Sequence, residues 1–259
     1  MMSSHEWSMK SCEQPELAAF FYGQLPVYTL FFPACSPAAL IKFSRTCQAA
    51  YNSVQSWRAK AFAINTHLSR FFLDPIGFRN LQARTGSLIS GSNALQFLDR
   101  TFYEESDLDL YVHSAHGIEV GIHLMTLEGY VYLGGNDSTL PPTGTRDTEE
   151  FMVDEIEARE TLYSAGAIHD VLRFTKLDLD GRRLHLQLIL TITSCFETVM
   201  RFHSTCVMNI IAWDYAVAMY PRATFELSTN QRCHVIPFSL FPSEIARAET
   251  EATTAVDKY

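Results

Sequence analysis

A strand-like run that carries two carboxylates constrains the fold of this chain more than any other segment. Residues 106–112 read Ser-Asp-Leu-Asp-Leu-Tyr-Val, so Asp107 and Asp109 alternate with Leu108 and Leu110. Because successive side chains of a strand point to opposite faces, both carboxylates project from one face while the leucines enter a core on the other. The run therefore predicts a β-strand with a buried apolar face and an acidic face.

Two carboxylates on one face need a partner of opposite charge. They repel each other and are costly to bury, and a divalent cation between them removes that cost. Mg²⁺ favours one or two carboxylates completed by substrate phosphates. Upstream, Gly91 allows a close approach of the backbone to a ligand, and Ser92 offers a hydroxyl and a helix N-terminus to phosphate oxygens. The pattern predicts a Mg²⁺ (or Mn²⁺) site with Asp107 and Asp109 as metal ligands, beside a phosphate-binding turn.

The segment Leu81–Ile192 resembles the nucleotidyltransferase superfamily, which shares the polymerase β-like fold. Members of that family carry an apolar residue, Gly-Gly or Gly-Ser, a short helix, and then Asp-apolar-Asp-apolar on the next strand. Here Ile89 comes shortly before the Gly-Ser turn, and Asn93–Asp99 is expected to form the helix. The resemblance implies an α+β fold, with a nucleotidyltransferase-like mixed β-sheet and flanking helices after a small helical N-terminal segment. It also implies metal-dependent transfer of an NMP from an NTP to the hydroxyl of a protein or a small molecule.

A β-hairpin is predicted further along the chain. Val171–Leu179 and Arg182–Leu190 both read as strands, and the dipeptide Asp180-Gly181 between them is typical of a tight turn. Leucines occupy every second position of the second strand, which leaves Gln187 on its polar face. We expect this strand to lie next to the strand that carries the two aspartates.

Active members of the superfamily usually carry a third carboxylate where this hairpin places Gln187. An amide can coordinate a cation or hydrogen-bond an acceptor hydroxyl, but it cannot act as a general base. The resemblance implies catalytic roles for the two aspartates and Gln187, and nucleotide binding by Gly91 and Ser92, with Arg84 or Lys176 neutralising the triphosphate. Two alternatives stay open. The chain is either a slow enzyme, in which metal, substrate or a histidine activates the hydroxyl, or a catalytically inactive binding module.

A second resemblance lies near the start of the chain, over Gln24–Trp57. It comprises a Leu25-Pro26 start, a helix led by Pro37, and the run Ser44–Cys47 followed by a tryptophan. The arrangement is similar to an F-box, whose helices dock on the Skp-type adaptor of cullin ubiquitin ligases. The alternative is a helical cap on the nucleotidyltransferase-like domain. A protein partner bound through these helices is therefore one expectation, beside an NTP bound at the aspartates.

These segments divide the chain into three parts. We expect a helical F-box-like segment at 1–75, a nucleotidyltransferase-like domain at 76–245 and a flexible tail at 246–259. Joined in this order, they resemble a family of fungal hypothetical proteins. Hydrophobic spacing predicts further helices and one strand. The helices are expected over Val54–Phe72, Gly117–Gly129 and Ser194–Tyr220, and the strand over Tyr130–Leu133.

Charge and cysteine content limit the function classes. The formal net charge of −9 argues against non-specific binding to nucleic acid, because phosphates attract basic surfaces. The uncharged stretch Leu17–Ile41 is broken by three prolines, so no membrane-spanning helix is expected there. Met1–Glu16 is polar and does not read as a secretory signal, and the six cysteines form no Cys-x-x-Cys pair. We expect an intracellular protein, cytoplasmic or nuclear.

Overall fold

The computed structural model describes residues 28–104, 106–135, 150, 152–154, 156, 168–202, 204–231 and 233. Its contacts divide the chain into two compact units. The first unit extends to Ala63 and includes Phe225–Leu227, and the second contains Ile64–Thr224 and the residues from Ser228 onward. The predicted tail at 246–259 and the Leu25-Pro26 start lie outside the described residues.

Short helices with an aromatic core form the described part of the first unit. They are α1 (Tyr28–Phe31), a 3-10 turn (Phe32–Ala34), α2 (Pro37–Ser44) and α3 (Gln48–Ala61). Ser36 begins α2, since its Oγ accepts a hydrogen bond of 3.3 Å from the Ala39 amide. Phe32, Leu40 and Val54 are buried together around Trp57, and the Phe32 and Trp57 rings meet edge-to-face at 5.8 Å.

The helix expected over Val54–Phe72 is interrupted. Helix α3 ends at Ala61, where Phe62 leaves helical geometry, and α4 covers only Ile64–Leu68. A helix that the sequence did not indicate, α5, follows at Pro75–Thr85. Asp74 caps α5 by accepting a hydrogen bond of 3.1 Å from the Ile76 amide, and Gly86 ends it with a left-handed conformation.

Among the described residues, a mixed seven-stranded sheet with flanking helices forms the second unit, so the predicted α+β class is confirmed. The strands lie in the order β3-β4-β5-β2-β1-β6-β7, and β2 and β5 are parallel while the other neighbours are antiparallel. The strands are β1 (Leu88–Ser90), β2 (Leu108–His113), β3 (Val131–Gly134), β4 (Ile168–Leu177), β5 (Arg183–Thr191), β6 (Asn209–Ile211) and β7 (Ala216–Ala218). The helices are α6 (Gly91–Asp99), α7 (Gly117–Thr126) and α8 (Cys195–Met200).

The two faces of this sheet differ in chemistry. One face carries a buried row of side chains formed by Leu172, Leu188, Leu110 and Ile89. Helix α7 packs on this face, where Gly121 lies against Phe174. The other face is apolar at one end. There α8 covers a cluster formed by Leu88, Tyr111, Ile189, Cys195, Val199, Ile210 and Ala212. The strand pattern expected around the aspartates is confirmed, since Leu108 and Leu110 are fully buried.

The long helix expected over Ser194–Tyr220 is wrong. The structure instead has α8, a 3-10 turn at Thr205–Val207 and the hairpin of β6 and β7. Strand β6 pairs with β1, and a fully buried strand shows the same continuous apolar run as a buried helix. Asn209 Nδ2 donates to the Cys206 carbonyl at 2.6 Å, so this side-chain bond links the start of β6 to the 3-10 turn before it.

The described residues also bear on membrane-spanning helices and on disulfide bonds. Among the described helices, none has the length and apolar character that crossing a membrane requires. The cysteines of the described segments form no disulfide; they are Cys35, Cys47, Cys195, Cys206 and Cys233.

Candidate functional site

A polar row crosses four neighbouring strands of the second unit. Ser90 of β1 pairs with Asp109 of β2, Asp109 pairs with Gln187 of β5, and Gln187 pairs with Arg173 of β4. Residues paired in this way share one face of the sheet, and adjacent strands lie about 4.8 Å apart. The row therefore aligns a hydroxyl, a carboxylate, an amide and a guanidinium on the face opposite Leu110. We call these four residues the polar row.

Asp107 joins the polar row from the loop before β2. Gln187 Nε2 donates a hydrogen bond of 3.3 Å to Asp107 Oδ2. Asp107, Asp109 and Gln187 are all half-buried, so each is partly desolvated and still reaches solvent. The structure thus brings together the three residues to which the sequence assigned catalytic roles.

Gly91 begins α6 directly beside the carboxylates. Its backbone is left-handed (φ +67°), and a Cβ at this position would overlap Asp109 Oδ2. Glycine therefore meets both the conformational and the steric requirement. Ser90 precedes the helix, but its hydroxyl donates to the Asn209 carbonyl at 2.7 Å and does not cap α6. The first turn of α6 faces the carboxylate cluster without a cap from Ser90, an arrangement that suits an anion.

Ser92 and the loop before Asp107 form a connected network. Ser92 Oγ and Ser106 Oγ share a hydrogen bond of 3.0 Å. The buried Gln96 donates to Ser106 Oγ at 2.6 Å and accepts from the Tyr103 amide at 2.8 Å. Arg70 donates to the Tyr103 carbonyl at 3.1 Å and lies 4.7 Å from the Phe102 ring. These hydrogen bonds fix the connection between the Gly-Ser turn and the aspartates at Tyr103 and Ser106.

Arg84 and Lys176, proposed from the sequence as phosphate partners, lie elsewhere. Arg84 forms an ion pair of 2.7 Å with Glu119 of α7, and this hydrogen bond holds the pKa of the Glu119 carboxyl below its usual value. Lys176 pairs with Leu184 and so lies on the sheet face opposite Gln187. Its Nζ donates to the Glu128 carbonyl at 3.1 Å, and burial lowers the pKa of its ammonium group. The structure brings neither cation to the polar row.

Arg173 is the basic side chain that the strand register places on the polar row, and the sequence interpretation missed it. Its Nη1 donates to the Gly135 carbonyl at 3.3 Å, and the residue is exposed. The length of the hairpin turn decides which residue of β4 lies opposite Gln187. A two-residue turn at Asp180-Gly181 places Phe174 opposite Gln187, whereas the observed turn, with Leu177 paired to Arg183, places Arg173 there.

The oxygen donors of this cluster suit a hard divalent cation. Asp107 and Asp109 supply carboxylate oxygens, and the Gln187 side chain adds an amide oxygen. Among the described residues, no three His, Cys, Asp or Glu side chains group in a way that could hold a metal ion. Asp107 and Asp109 could supply carboxylate ligands to such a cation, with water and phosphate oxygens as its other ligands.

Comparison of the chain with models of protein families, with curated proteins and with solved structures finds no match. The polar row, Asp107 and the first turn of α6 are therefore the basis on which a function is assigned. Their chemistry combines paired carboxylates, an amide, a guanidinium and a helix N-terminus on one side of the sheet.

Proposed function

We propose that this chain is a nucleotidyltransferase-like protein that binds an NTP with a divalent cation at Asp107 and Asp109. It transfers the NMP to a hydroxyl of a protein or a small molecule: the hydroxyl oxygen bonds to the α-phosphorus, the bond between the α-phosphorus and the β-phosphate oxygen breaks, and pyrophosphate leaves. The observation that carries the proposal is the joint placement of the two carboxylates with Gln187 beside the first turn of α6. The net charge of −9 favours an acceptor other than nucleic acid.

Each side chain of the cluster has a role that its chemistry allows. Asp107 and Asp109 would hold Mg²⁺ or Mn²⁺, which when bound neutralises phosphate charge. The amides of the first α6 turn and the Ser92 hydroxyl would donate hydrogen bonds to phosphate oxygens. Gln187 cannot take a proton, so it orients the carboxylate of Asp107 and the incoming hydroxyl.

Proton removal from the acceptor then needs another group. His185 lies two residues before Gln187 on β5, and alternation along the strand places both side chains on the same face. It is exposed and lies opposite Thr175 of β4. A neutral imidazole there can act as the base, and the absence of a third carboxylate from the polar row leads us to expect slow turnover.

The test is calorimetric titration of the natural chain and the double variant Asp107→Asn/Asp109→Asn with Mn²⁺, and then with each of the four NTPs in Mn²⁺. We expect Mn²⁺-dependent NTP binding by the natural chain and its loss in the double variant, because amides are far weaker ligands for hard cations than carboxylates. Transfer is followed with an NTP labelled at the α-phosphate, in reactions with candidate acceptors.

A control variant separates the site from overall charge. Asp180→Asn/Asp214→Asn removes the same two charges from exposed positions in turns and should bind as the natural chain does. Equal losses in both double variants, or no NTP binding by a folded natural chain, would contradict the proposed function.

A second candidate function is supported by the surface of the first unit. Its helices expose several large apolar side chains, with Leu30 77%, Phe31 55% and Ile41 52% accessible. Such side chains can contribute to a protein-interaction surface where they form a contiguous patch. Under this alternative the chain is a catalytically inactive nucleotidyltransferase-fold binding module that acts as an F-box-like adaptor.

A further inference from the structure

The sheet face that carries the polar row continues beyond it, toward the edge strand β3. Val131 of β3 pairs with Thr175 of β4, and Thr175 pairs with His185 of β5. In the neighbouring row Leu177 pairs with Arg183. Alternation along each strand places these five side chains on the side of the sheet that carries the polar row. We call these five residues the basic face.

The basic face is open to solvent. Helix α7 packs on the opposite side of the sheet, and α8 covers the cluster at the other end. Arg183 and His185 are exposed, whereas Leu184 between them is buried on the opposite side. Val131 is 51% and Leu177 64% accessible, so neither apolar side chain serves the core and both can contact a partner.

The charge of the basic face is opposite to that of the whole chain. The formal net charge is −9, yet the five residues include no carboxylate. Within the described part of the chain the Arg183 side chain has no hydrogen bond or ion pair, whereas its neighbour Arg182 pairs with Glu104 at 2.9 Å. The Arg183 guanidinium is therefore open to an external carboxylate. Arg173 has no part in this surface, because it already donates to the Gly135 carbonyl.

The spacing along β5 defines the kind of ligand. Arg183, His185 and Gln187 follow one another on this face at every second residue, so about 13 Å separates the backbones of the first and the last. An extended peptide has nearly the same rise per residue. It can place a carboxylate on Arg183 while a hydroxyl four residues away lies beside Gln187. A small hydroxyl compound does not span this distance.

We infer that the basic face docks an extended acidic peptide segment of a protein, held by a carboxylate on Arg183 and by apolar contacts with Val131 and Leu177. The assignment rests on the proposed function, because the docked segment carries the acceptor hydroxyl. It narrows that acceptor to a serine, threonine or tyrosine of a protein segment with an acidic residue four positions away. Complementary charge then selects the segment.

The experiment uses the full chain and two fluorescently labelled synthetic peptides. Both carry a central serine flanked by leucines, and they differ only four positions to either side of it, with glutamate in one and lysine in the other. Fluorescence anisotropy measures the Kd of each. We expect the natural chain to bind the glutamate peptide more tightly. The net charge of −9 favours the lysine peptide, so this preference can arise only from a local basic surface.

Charge reversal at the proposed contact should reverse the preference. We expect Arg183→Glu to weaken binding of the glutamate peptide about 10-fold, because an attraction is replaced by a repulsion, and to strengthen binding of the lysine peptide. Leu177→Asn should weaken both peptides, since an apolar contact does not depend on their charge. Arg222→Glu is the matched control, because it reverses an exposed arginine that follows β7 at the other edge of the sheet.

The inference is overturned if the natural chain binds the glutamate peptide no more tightly than the lysine peptide. It is also overturned if Arg183→Glu weakens the glutamate peptide no more than Arg222→Glu does. Mn²⁺-dependent NTP binding reports separately on the proposed function. Its presence without a peptide preference rejects the docking assignment alone. Its absence beside a preference that Arg183→Glu abolishes rejects the proposed function and leaves the acidic-peptide site in place.

Discussion

At the residue scale, Gly91 sets the distance between α6 and the carboxylates. An alanine at φ +67° costs about 1–2 kcal/mol from backbone strain, and its Cβ would overlap Asp109 Oδ2. We predict that Gly91→Ala lowers the free energy of unfolding by at least this amount and also weakens Mn²⁺ binding, because the Asp109 carboxylate must move. Denaturant unfolding and Mn²⁺ calorimetry measure the two effects.

Gly86 provides a control for the backbone contribution. It has nearly the same conformation, φ +65°, and nothing lies within 4 Å of a Cβ added there. Gly86→Ala should therefore lose a similar strain energy while Mn²⁺ affinity stays unchanged. If both alanine variants bind Mn²⁺ like the natural chain, Gly91 has no part in shaping the carboxylate site.

At the element scale, the connection from α6 to β2 places Asp107. The buried Gln96 bonds to both Ser106 and Tyr103 in this connection. Gln96→Leu keeps the side-chain volume but removes the hydrogen bonds to Ser106 and Tyr103, so we predict a loss of about 1–3 kcal/mol in the free energy of unfolding. We also predict weaker Mn²⁺ binding, because Ser106 adjoins Asp107. Denaturant unfolding measures the change in stability, and Mn²⁺ calorimetry measures the change in affinity.

Gln82 is the matched residue for this test. It is also buried, and its amide donates to the carbonyls of Ser87 and Ile211, both at 3.3 Å, away from the loop before Asp107. Gln82→Leu should destabilise the fold to a similar degree and leave Mn²⁺ affinity intact. Equal weakening of Mn²⁺ binding in both variants would mean that the loss reflects overall stability and not the position of Asp107.

Element pairing explains what the sequence could and could not predict. Gly91, Ser92, Asp107 and Asp109 belong to one local run whose alternation and turn chemistry are visible in the sequence. The position of Arg173 depends on a turn of five residues, 178–182, instead of two, and this difference shifts the register by one residue. A hydrogen bond of the Asp178 carboxylate with the Arg182 amide, 2.8 Å long, closes the longer turn.

A buried strand explains why the helix expected over Ser194–Tyr220 is wrong. The alternating pattern of β2 and β5 is half polar, and both strands appear where the sequence indicates them. Strand β6 is buried along its whole length and shows no alternation, so the pattern of its run Asn209–Ile211 does not distinguish it from a buried helix. Only its pairing with β1, a contact distant in sequence, gives it an extended conformation.

At the scale of the whole molecule, the two compact units carry separate candidate functions. The carboxylates, the polar row and α6 all belong to the unit that begins at Ile64, whereas the exposed apolar helices belong to the unit that ends at Ala63. No described residue belongs to both surfaces, so each candidate function is tested with its own set of substitutions.

The adaptor alternative is tested by titrating a purified Skp-type adaptor into the full chain. We predict that Leu30→Asp/Ile41→Asp abolishes binding, because charges replace the apolar contacts that such an interface needs, while Mn²⁺ binding persists. Leu127→Asp/Leu179→Asp alters two exposed leucines of the second unit and should bind the adaptor normally. A natural chain that binds Mn²⁺ and NTP but no adaptor leaves the first unit without a ubiquitin-ligase role. Adaptor binding that survives Leu30→Asp/Ile41→Asp would place the interface on other residues.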